Sequence, residues 1–258
     1  MSDEELFFAE RAANIKAYQN DSIFQSLSMD WLKTAMAHKY AYNFDWLDRP
    51  IIQLPPDVFA LQEIIWRVKP DLIIETGTAR GGSLIFSASM LTLIEYAQAT
   101  KNNLLLDPKS PKNKVIGIDI DIRDHNRAKI EEHPMFSRID LIDGSSTDNK
   151  VINEVKEIAS SYHKVLVFLD SNHTHSHVLE ELKLYTPLVS TDSYCVVFDT
   201  FIEDMPHNFF EDRAWNVGNN PRTAVRDFLK DNENFVIDTD ICTKLQISVA
   251  RQGFLRRI

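Results

Sequence analysis

The sequence has little of what marks several classes of protein. Only two of its 258 residues are cysteine, and both, Cys195 and Cys242, stand in apolar, strand-like runs. We therefore expect buried thiols in a reducing, cytoplasmic environment and no disulfide framework. No run approaches the roughly 20 apolar residues of a membrane span. The acidic start MSDEELFFAE also lacks the basic region that opens a signal peptide.

Positive charge is scarce as well. Lysine and arginine number 28 against 38 aspartates and glutamates, which gives a formal net charge of −10. A non-specific nucleic-acid binder needs a basic face that displaces counterions, and an anionic membrane surface attracts the same kind of face. Neither partner is expected. The 44% of hydrophobic and 26% of charged residues are typical of a globular chain with a sizeable core.

The first 56 residues differ in character from the rest. Apolar residues recur at helical spacing in segments 4–18 and 29–40, and Pro50, Pro55 and Pro56 then interrupt regular structure. We predict a helical N-terminal extension over residues 1–56. The extension contains five large aromatic side chains: Phe7, Phe8, Phe24, Trp31 and Trp46. So much apolar surface suggests a lid over a site or a contact in a homo-oligomer. Residues 57–258 are predicted to form the main domain.

From residue 71 onward, short strand-like runs alternate with helix-length segments. This pattern is typical of βαβ units and predicts a Rossmann-like, doubly wound α/β sheet that is mostly parallel. Runs 234–241 and 244–252 lie close together, and we expect them to add a C-terminal antiparallel hairpin. The candidate parallel strands are 71–76, 114–120, 138–144, 164–170 and 193–199.

Flexible or polar residues stand at the ends of the first three predicted strands. A glycine-containing turn (77–82) follows the first strand, Asp119 ends the second, and Gly144 follows the third. Open α/β sheets bind ligands at this edge. Ala79 breaks the dinucleotide pattern G-x-G-x-x-G, and the Lys-Ser/Thr of a phosphate loop is missing after Gly82. The residues at this edge therefore predict a site for a nucleotide-like ligand that uses neither the dinucleotide pattern nor a phosphate loop.

Three motifs at these strand ends resemble the S-adenosylmethionine site of class I methyltransferases: ETGTARGGS (75–83), GID (117–119) and DGSS (143–146). Segments 42–84 and 169–206 and the ending GFLRRI resemble the family named after cephalosporin hydroxylase, which also contains rhamnosyl O-methyltransferases. The resemblance implies methyl transfer from S-adenosylmethionine to a hydroxyl of a sugar or small natural product, as in carbohydrate or lipid modification.

The resemblance also implies cofactor-binding residues, all at these strand ends: Glu75, Gly77, Thr78, Gly81, Ser83, Asp119, Ser145 and Ser146. By this resemblance Glu75 orders the loop near the methionine amino group, and Ser83 holds the carboxylate. Asp119 takes the ribose hydroxyls, while Ser145 and Ser146 flank the adenine.

Two acids end the fourth and fifth predicted strands. Asp170 and Asp199 should emerge at one sheet edge, where their oxygens suit Mg²⁺. Related metal-dependent O-methyltransferases have a third ligand, and Phe198 stands where the resemblance would expect that acid. Two versions stay open: a metal-assisted site with Asp170 and Asp199, or a metal-free site. His173 is the expected general base, because imidazole titrates near neutral pH.

Other functions also remain open from the sequence. The chain could be a non-catalytic nucleotide-binding homologue, or an oxidoreductase (hydroxylase) as the family name suggests. His175 and His177 are expected to be structural, because they lead into a helix and lack the closed spacing of a zinc site. The expected partner is a small-molecule or glycan acceptor.

Overall fold

The N-terminal segment begins with two helices. A computed structural model describes residues 1–207 and 209–258. Helices α1 (Asp3–Tyr18) and α2 (Ser22–Ala37) precede a small antiparallel pair, β1 (Phe44–Trp46) and β2 (Arg49–Ile51). Helix α3 (Pro55–Val68) follows, and its two prolines occupy the first turn, where a missing N–H costs nothing. The sequence predicted α1 and the second half of α2, but it did not predict the β1–β2 pair.

The main sheet contains the five predicted parallel strands, each within two residues of its expected ends. They are β3 (Leu72–Thr76), β4 (Lys114–Asp119), β5 (Ile139–Asp143), β6 (Val165–Leu169) and β7 (Tyr194–Val197). The seven-stranded order is β5-β4-β3-β6-β7-β9-β8, with β8 (Phe235–Ile237) and β9 (Phe254–Arg257) at one edge. The order reverses beside β3, so a crevice opens between the ends of β3 and β6.

The C-terminal antiparallel pair is present, but its second strand is not where the sequence suggested. Strand β9 lies at Phe254–Arg257, whereas the run 244–252 does not form a strand. Helix α9 (Thr239–Leu245) separates β8 from β9, and the Asp238 side chain caps it by accepting from the backbone N–H of Ile241. This capping bond favours a helix over the hairpin that the apolar run predicted.

Helices cover both faces of the sheet. One face packs against α3 and α4 (Gly82–Asn102), with Ile64, Leu84 and Phe168 in its core. The other packs against α6 (Asn149–Ala159), α7 (His175–Tyr185) and α8 (Pro221–Lys230). Helix α5 (Asp124–Glu131) follows β4. Burial on both faces explains why the strands are nearly continuous apolar runs. Among the described residues, no helix has the length and apolarity needed to cross a membrane.

Candidate active site

A large cavity lies at the carboxyl ends of the parallel strands. It has a volume of about 890 Å³ and opens where β3, β4, β6 and β7 end. The predicted site residues that line it are Gly77, Thr78, Ser83, Asp119, Asp170, His173 and Asp199. Glu75, Gly81, Ser145 and Ser146 are not among its lining residues. The cavity thus brings the predicted donor loop and the predicted reaction centre together in one space.

The loop after β3 is tightly packed, and this requires glycine. Gly77 has a φ of 87°, and a Cβ at this position would lie 2.1 Å from the carbonyl oxygen of Asp170. Asp119 secures the same loop, because its Oδ2 accepts hydrogen bonds from the backbone N–H of Thr78 (2.8 Å) and of Ala79 (3.3 Å). The carboxylate at the end of β4 therefore shapes the loop as well as facing the cavity.

Glu75 lies beneath this loop and is almost fully buried. The hydroxyl of Ser83 donates a hydrogen bond to its Oε1, while its Oε2 has no hydrogen-bond partner among the described residues. Burial raises the pKa of Glu75 to about 8, the Ser83 hydrogen bond opposes this, and the nearby charge of Asp119 adds to it. The free oxygen leaves Glu75 able to accept a hydrogen bond from a cationic ligand group.

Ser145 and Ser146 lie on the loop after β5 and are not among the residues that line the cavity. Ser146 is buried; its hydroxyl lies 3.1 Å from Nε2 of His177, and its carbonyl oxygen accepts a hydrogen bond from Tyr185. The Ser145 hydroxyl pairs with that of Thr147 at 3.0 Å. Both serines are therefore held by neighbouring protein groups.

Three side chains that follow the neighbouring strands β6 and β7 converge in the cavity. Asp170, His173 and Asp199 each offer one ligand atom, and these atoms lie within 4.8 Å of one another. His173 Nε2 lies 3.0 Å from Asp199 Oδ2. Asp199 adopts the left-handed conformation with a φ of 54°, which turns its side chain back toward β6.

The electrostatics of this cluster follow from crowded carboxyl groups. Burial raises the pKa of Asp170 well above its usual range, and the charges of Asp199 and Glu75 raise it further. Burial alone would lower the pKa of His173, but the charge and hydrogen bond of Asp199 outweigh that effect and raise it. A cation placed here would relieve the repulsion between the acids.

Phe198 stands at the position where the resemblance would expect a third acid, and its side chain belongs to the core. Phe198 is buried and packs edge-on against Phe168, with ring centroids 5.9 Å apart. Glu203 and Asp204, the next acids along the chain, are paired with other groups. Asp204 accepts from Arg222 (2.6 Å) and Arg251 (2.9 Å), and Glu203 accepts from the backbone N–H of Gly218 (2.9 Å). His173 is the side chain that completes the set of three.

The side chains of the neighbouring histidines pair with groups outside the cluster. His175 Nδ1 lies 2.8 Å from the hydroxyl of Thr223, and His177 Nε2 lies 3.2 Å from that of Ser171. Helix α7 begins at His175, so successive side chains point in different directions.

Sequence reasoning missed one polar neighbour of the cluster. Gln53 is almost fully buried and lines the cavity, and its Nε2 donates a hydrogen bond to Oδ2 of Asp170 at 3.2 Å. It lies 117 residues away in sequence. Its position just before the Pro-Pro start of α3 gives no signal of this contact, which exists only because β2 lies over the loop after β3.

Aromatic side chains form the outer wall of the cavity. Trp215 packs edge-on against Phe210 (4.5 Å between centroids) and against the His173 ring (5.3 Å). Tyr42 and Met36 come from the N-terminal segment and also line the cavity. Of the aromatics that the sequence singled out, Trp46 instead packs against Phe86 beside α4.

The sheet order, the glycine loop after β3 and the acid at the end of β4 define a class I methyltransferase fold of the Rossmann-like type. A solved structure of CmcI described as its Mg-SAM form matches with a TM-score of 0.56 and 17% identity, over 84% of this chain and 77% of that one. A likeness at this identity establishes the fold.

The chain belongs to the family described as Rhamnosyl O-methyltransferase/CmcI, which matches residues 38–258. It is 30% identical over 155 residues to the rhamnosyl O-methyltransferase of Mycobacterium tuberculosis H37Rv, which covers 58% of this chain and 54% of the relative. The Mycobacterium leprae protein of that name is 28% identical over 176 residues, covering 66% and 68%. The chain thus spans about half the length of the first of these relatives.

Proposed function

We propose that this chain is an S-adenosylmethionine-dependent O-methyltransferase that acts on a hydroxyl of a sugar or small natural product. The observation that carries the proposal is the single cavity that contains both the loop of Gly77 and Thr78 and the cluster of Asp170, His173 and Asp199. Relatives named rhamnosyl O-methyltransferase support a glycan acceptor.

The donor half of the cavity suits S-adenosylmethionine, which supplies an activated methyl group on a sulfonium. Glu75, with its free Oε2, is proposed to face the methionine amino group, and Ser83 the carboxylate. Asp119 is proposed to accept from the ribose hydroxyls. Gly77, Thr78 and Gly81 would bring the backbone close to the donor, with Ser145 and Ser146 beside the adenine.

The reaction half suits a divalent cation such as Mg²⁺. Asp170 and Asp199 offer hard oxygen ligands, and their crowding favours a positive charge between them. A bound Mg²⁺ would lower the pKa of a hydroxyl placed beside it. Gln53, through its hydrogen bond to Asp170, would hold one of these carboxylates in place.

His173 is the proposed general base. Its Nε2 pairs with Oδ2 of Asp199 at 3.0 Å, so the acceptor hydroxyl is proposed to approach Nδ1. With a proton on Nε2, the Nδ1 lone pair can accept the proton that the acceptor hydroxyl loses as its oxygen takes the methyl group. The edge-on contact with Trp215 keeps the imidazole in place.

The N-terminal segment, residues 1–56, is proposed to cover the acceptor and to bind a second copy of the chain. Its residues from Met36 to Tyr42 contribute to the cavity wall. Helix α1 contains no buried residue. Large apolar side chains of α1 and α2 are exposed: Leu6, Phe7, Phe8, Ile23, Phe24, Leu27 and Trp31. Burying them against another subunit would remove this surface from water.

A binding and turnover experiment tests the function. Calorimetric titration with S-adenosylmethionine and separately with NAD(P) distinguishes a methyltransferase from an oxidoreductase. Release of S-adenosylhomocysteine in the presence of Mg²⁺ and rhamnoside acceptors then distinguishes an enzyme from a binding protein. Binding of NAD(P) with no binding of S-adenosylmethionine would contradict the proposal.

We also propose a cytoplasmic location. Cys195 and Cys242 are both free thiols, which supports a reducing environment.

A further inference from the structure

The carboxyl group of Asp57 is fully buried, and Asp57 is not one of the residues that line the cavity. It stands in the first turn of α3, where an exposed acid would already gain from the helix dipole. Instead its side chain enters the core, which is costly for a carboxyl group. Its Oδ2 accepts a hydrogen bond from the backbone N–H of Val249 at 2.9 Å. The contact joins residues 192 positions apart in sequence.

Val249 connects this acid to the reaction centre. The Val249 carbonyl oxygen accepts from the backbone N–H of Phe201 at 3.2 Å and from the hydroxyl of Thr200 at 3.3 Å. These two residues directly follow Asp199, which adopts the left-handed conformation with a φ of 54°. A non-glycine residue in that region depends on its surroundings to stay there.

We propose that Asp57 is a positioning residue that, through Val249, holds the turn after β7 and so aims the Asp199 carboxylate at Asp170 and His173. The inference rests on the proposed function for its consequence, because the cation and the base both depend on where Asp199 points. Without an acceptor at position 57, the Val249 N–H would be buried and unpaired, and the segment would shift to satisfy it.

Two substitutions at the same position separate the hydrogen bond from the charge. Asp57→Asn keeps an oxygen that can accept from Val249, whereas Asp57→Leu has a similar volume and no acceptor. Val155→Ala is the matched control, because Val155 is fully buried in the core on the opposite face of the sheet. It lowers stability without touching the chain of contacts from Asp57 to Asp199.

The first measurement is Mn²⁺ binding to the full-length chain by titration calorimetry, with S-adenosylhomocysteine binding beside it. We expect Asp57→Leu to weaken Mn²⁺ binding about 10- to 100-fold, the range that follows when the support that orients a metal ligand is lost. Asp57→Asn and Val155→Ala should bind Mn²⁺ nearly as the wild type does. S-adenosylhomocysteine affinity should be similar in all four proteins. Equal Mn²⁺ affinity in wild type and Asp57→Leu would overturn the inference.

The second measurement, hydrogen exchange of segment 199–204, needs neither metal nor turnover. We expect faster exchange at Phe201 in Asp57→Leu than in wild type, Asp57→Asn or Val155→Ala. The reason is that the hydrogen bond from the Phe201 N–H to the Val249 carbonyl oxygen is weakened in Asp57→Leu. Uniformly faster exchange in both Asp57→Leu and Val155→Ala would show only lost stability and would overturn the positioning role. A wild type that binds no Mn²⁺ would refute the cation site, and this exchange result would still decide the role of Asp57.

Discussion

His173 and Asp199 meet in the cavity with 3.0 Å between Nε2 and Oδ2, although they follow different strands of the sheet. The pairing orients the imidazole and holds both side chains beside Asp170. The chemistry of this cluster depends on whether a cation binds between the two carboxylates.

Metal dependence is the first prediction. If Asp170 and Asp199 hold Mg²⁺, EDTA should abolish methyl transfer and added Mg²⁺ should restore it. Asp170→Asn and Asp199→Asn should then each reduce kcat far more than they reduce donor affinity. Turnover assays at saturating S-adenosylmethionine, with calorimetry for donor binding, measure both effects. Activity that survives EDTA would contradict metal use.

His173→Ala should lower kcat by about 10²- to 10⁴-fold, the usual contribution of a general base. Donor affinity should change little, because the ring is proposed to act on the acceptor hydroxyl and not to hold the donor. His175→Ala is the matched control, since that histidine pairs with Thr223 outside the cluster. If both variants turn over like the wild type, the base is a different residue.

Asp119→Ala should weaken S-adenosylmethionine binding by about ten- to a hundredfold, the value of a lost charged hydrogen bond. The structure adds a second reason, because the same carboxylate accepts from the backbone of Thr78 and Ala79. Asp121→Ala, two residues further on and exposed, is the control for charge alone. Unchanged affinity in a folded Asp119→Ala protein would remove this residue from the site.

Asp57 should make stability depend on pH. Burial raises its pKa to about 7 from an ordinary value of 3.8, so the folded state binds its proton more tightly than the unfolded state. The free energy of unfolding therefore falls as pH rises from 3.8 to about 7, by about 4 kcal/mol at most. Asp57→Asn should flatten that fall in urea titrations between pH 4 and pH 8. Parallel curves for the two proteins would show that Asp57 does not contribute.

The N-terminal helices should mediate self-association. Replacing exposed Phe7 and Phe8 of α1 by serine should shift the chain toward monomer in sedimentation velocity at micromolar concentration. Stability should change little, because neither side chain belongs to the core. A wild type that sediments only as monomer would leave these helices with the covering role alone.

The local pattern of the sequence determined most of the fold. The runs that became β3 to β7 are apolar and β-branched, and the segments between them have helical spacing, so the parallel sheet and its binding edge could be predicted. The sequence also predicted that Asp170, His173 and Asp199 reach this edge, because each lies within four residues of the end of a strand. The second C-terminal strand was misplaced, since α9 depends on a cap at Asp238 that outweighs an apolar run.

Tertiary structure alone decided what surrounds those residues. The bonds from Gln53 to Asp170 and from Asp57 to Val249 join positions more than a hundred residues apart, so no local periodicity reports them. Phe198 and Asp199 are neighbours in sequence, yet the left-handed turn at Asp199 sends one side chain into the core and the other into the cavity. The sequence determined which groups reach the sheet edge, and packing decided which of them meet, because contact depends on how separate segments fit together in space.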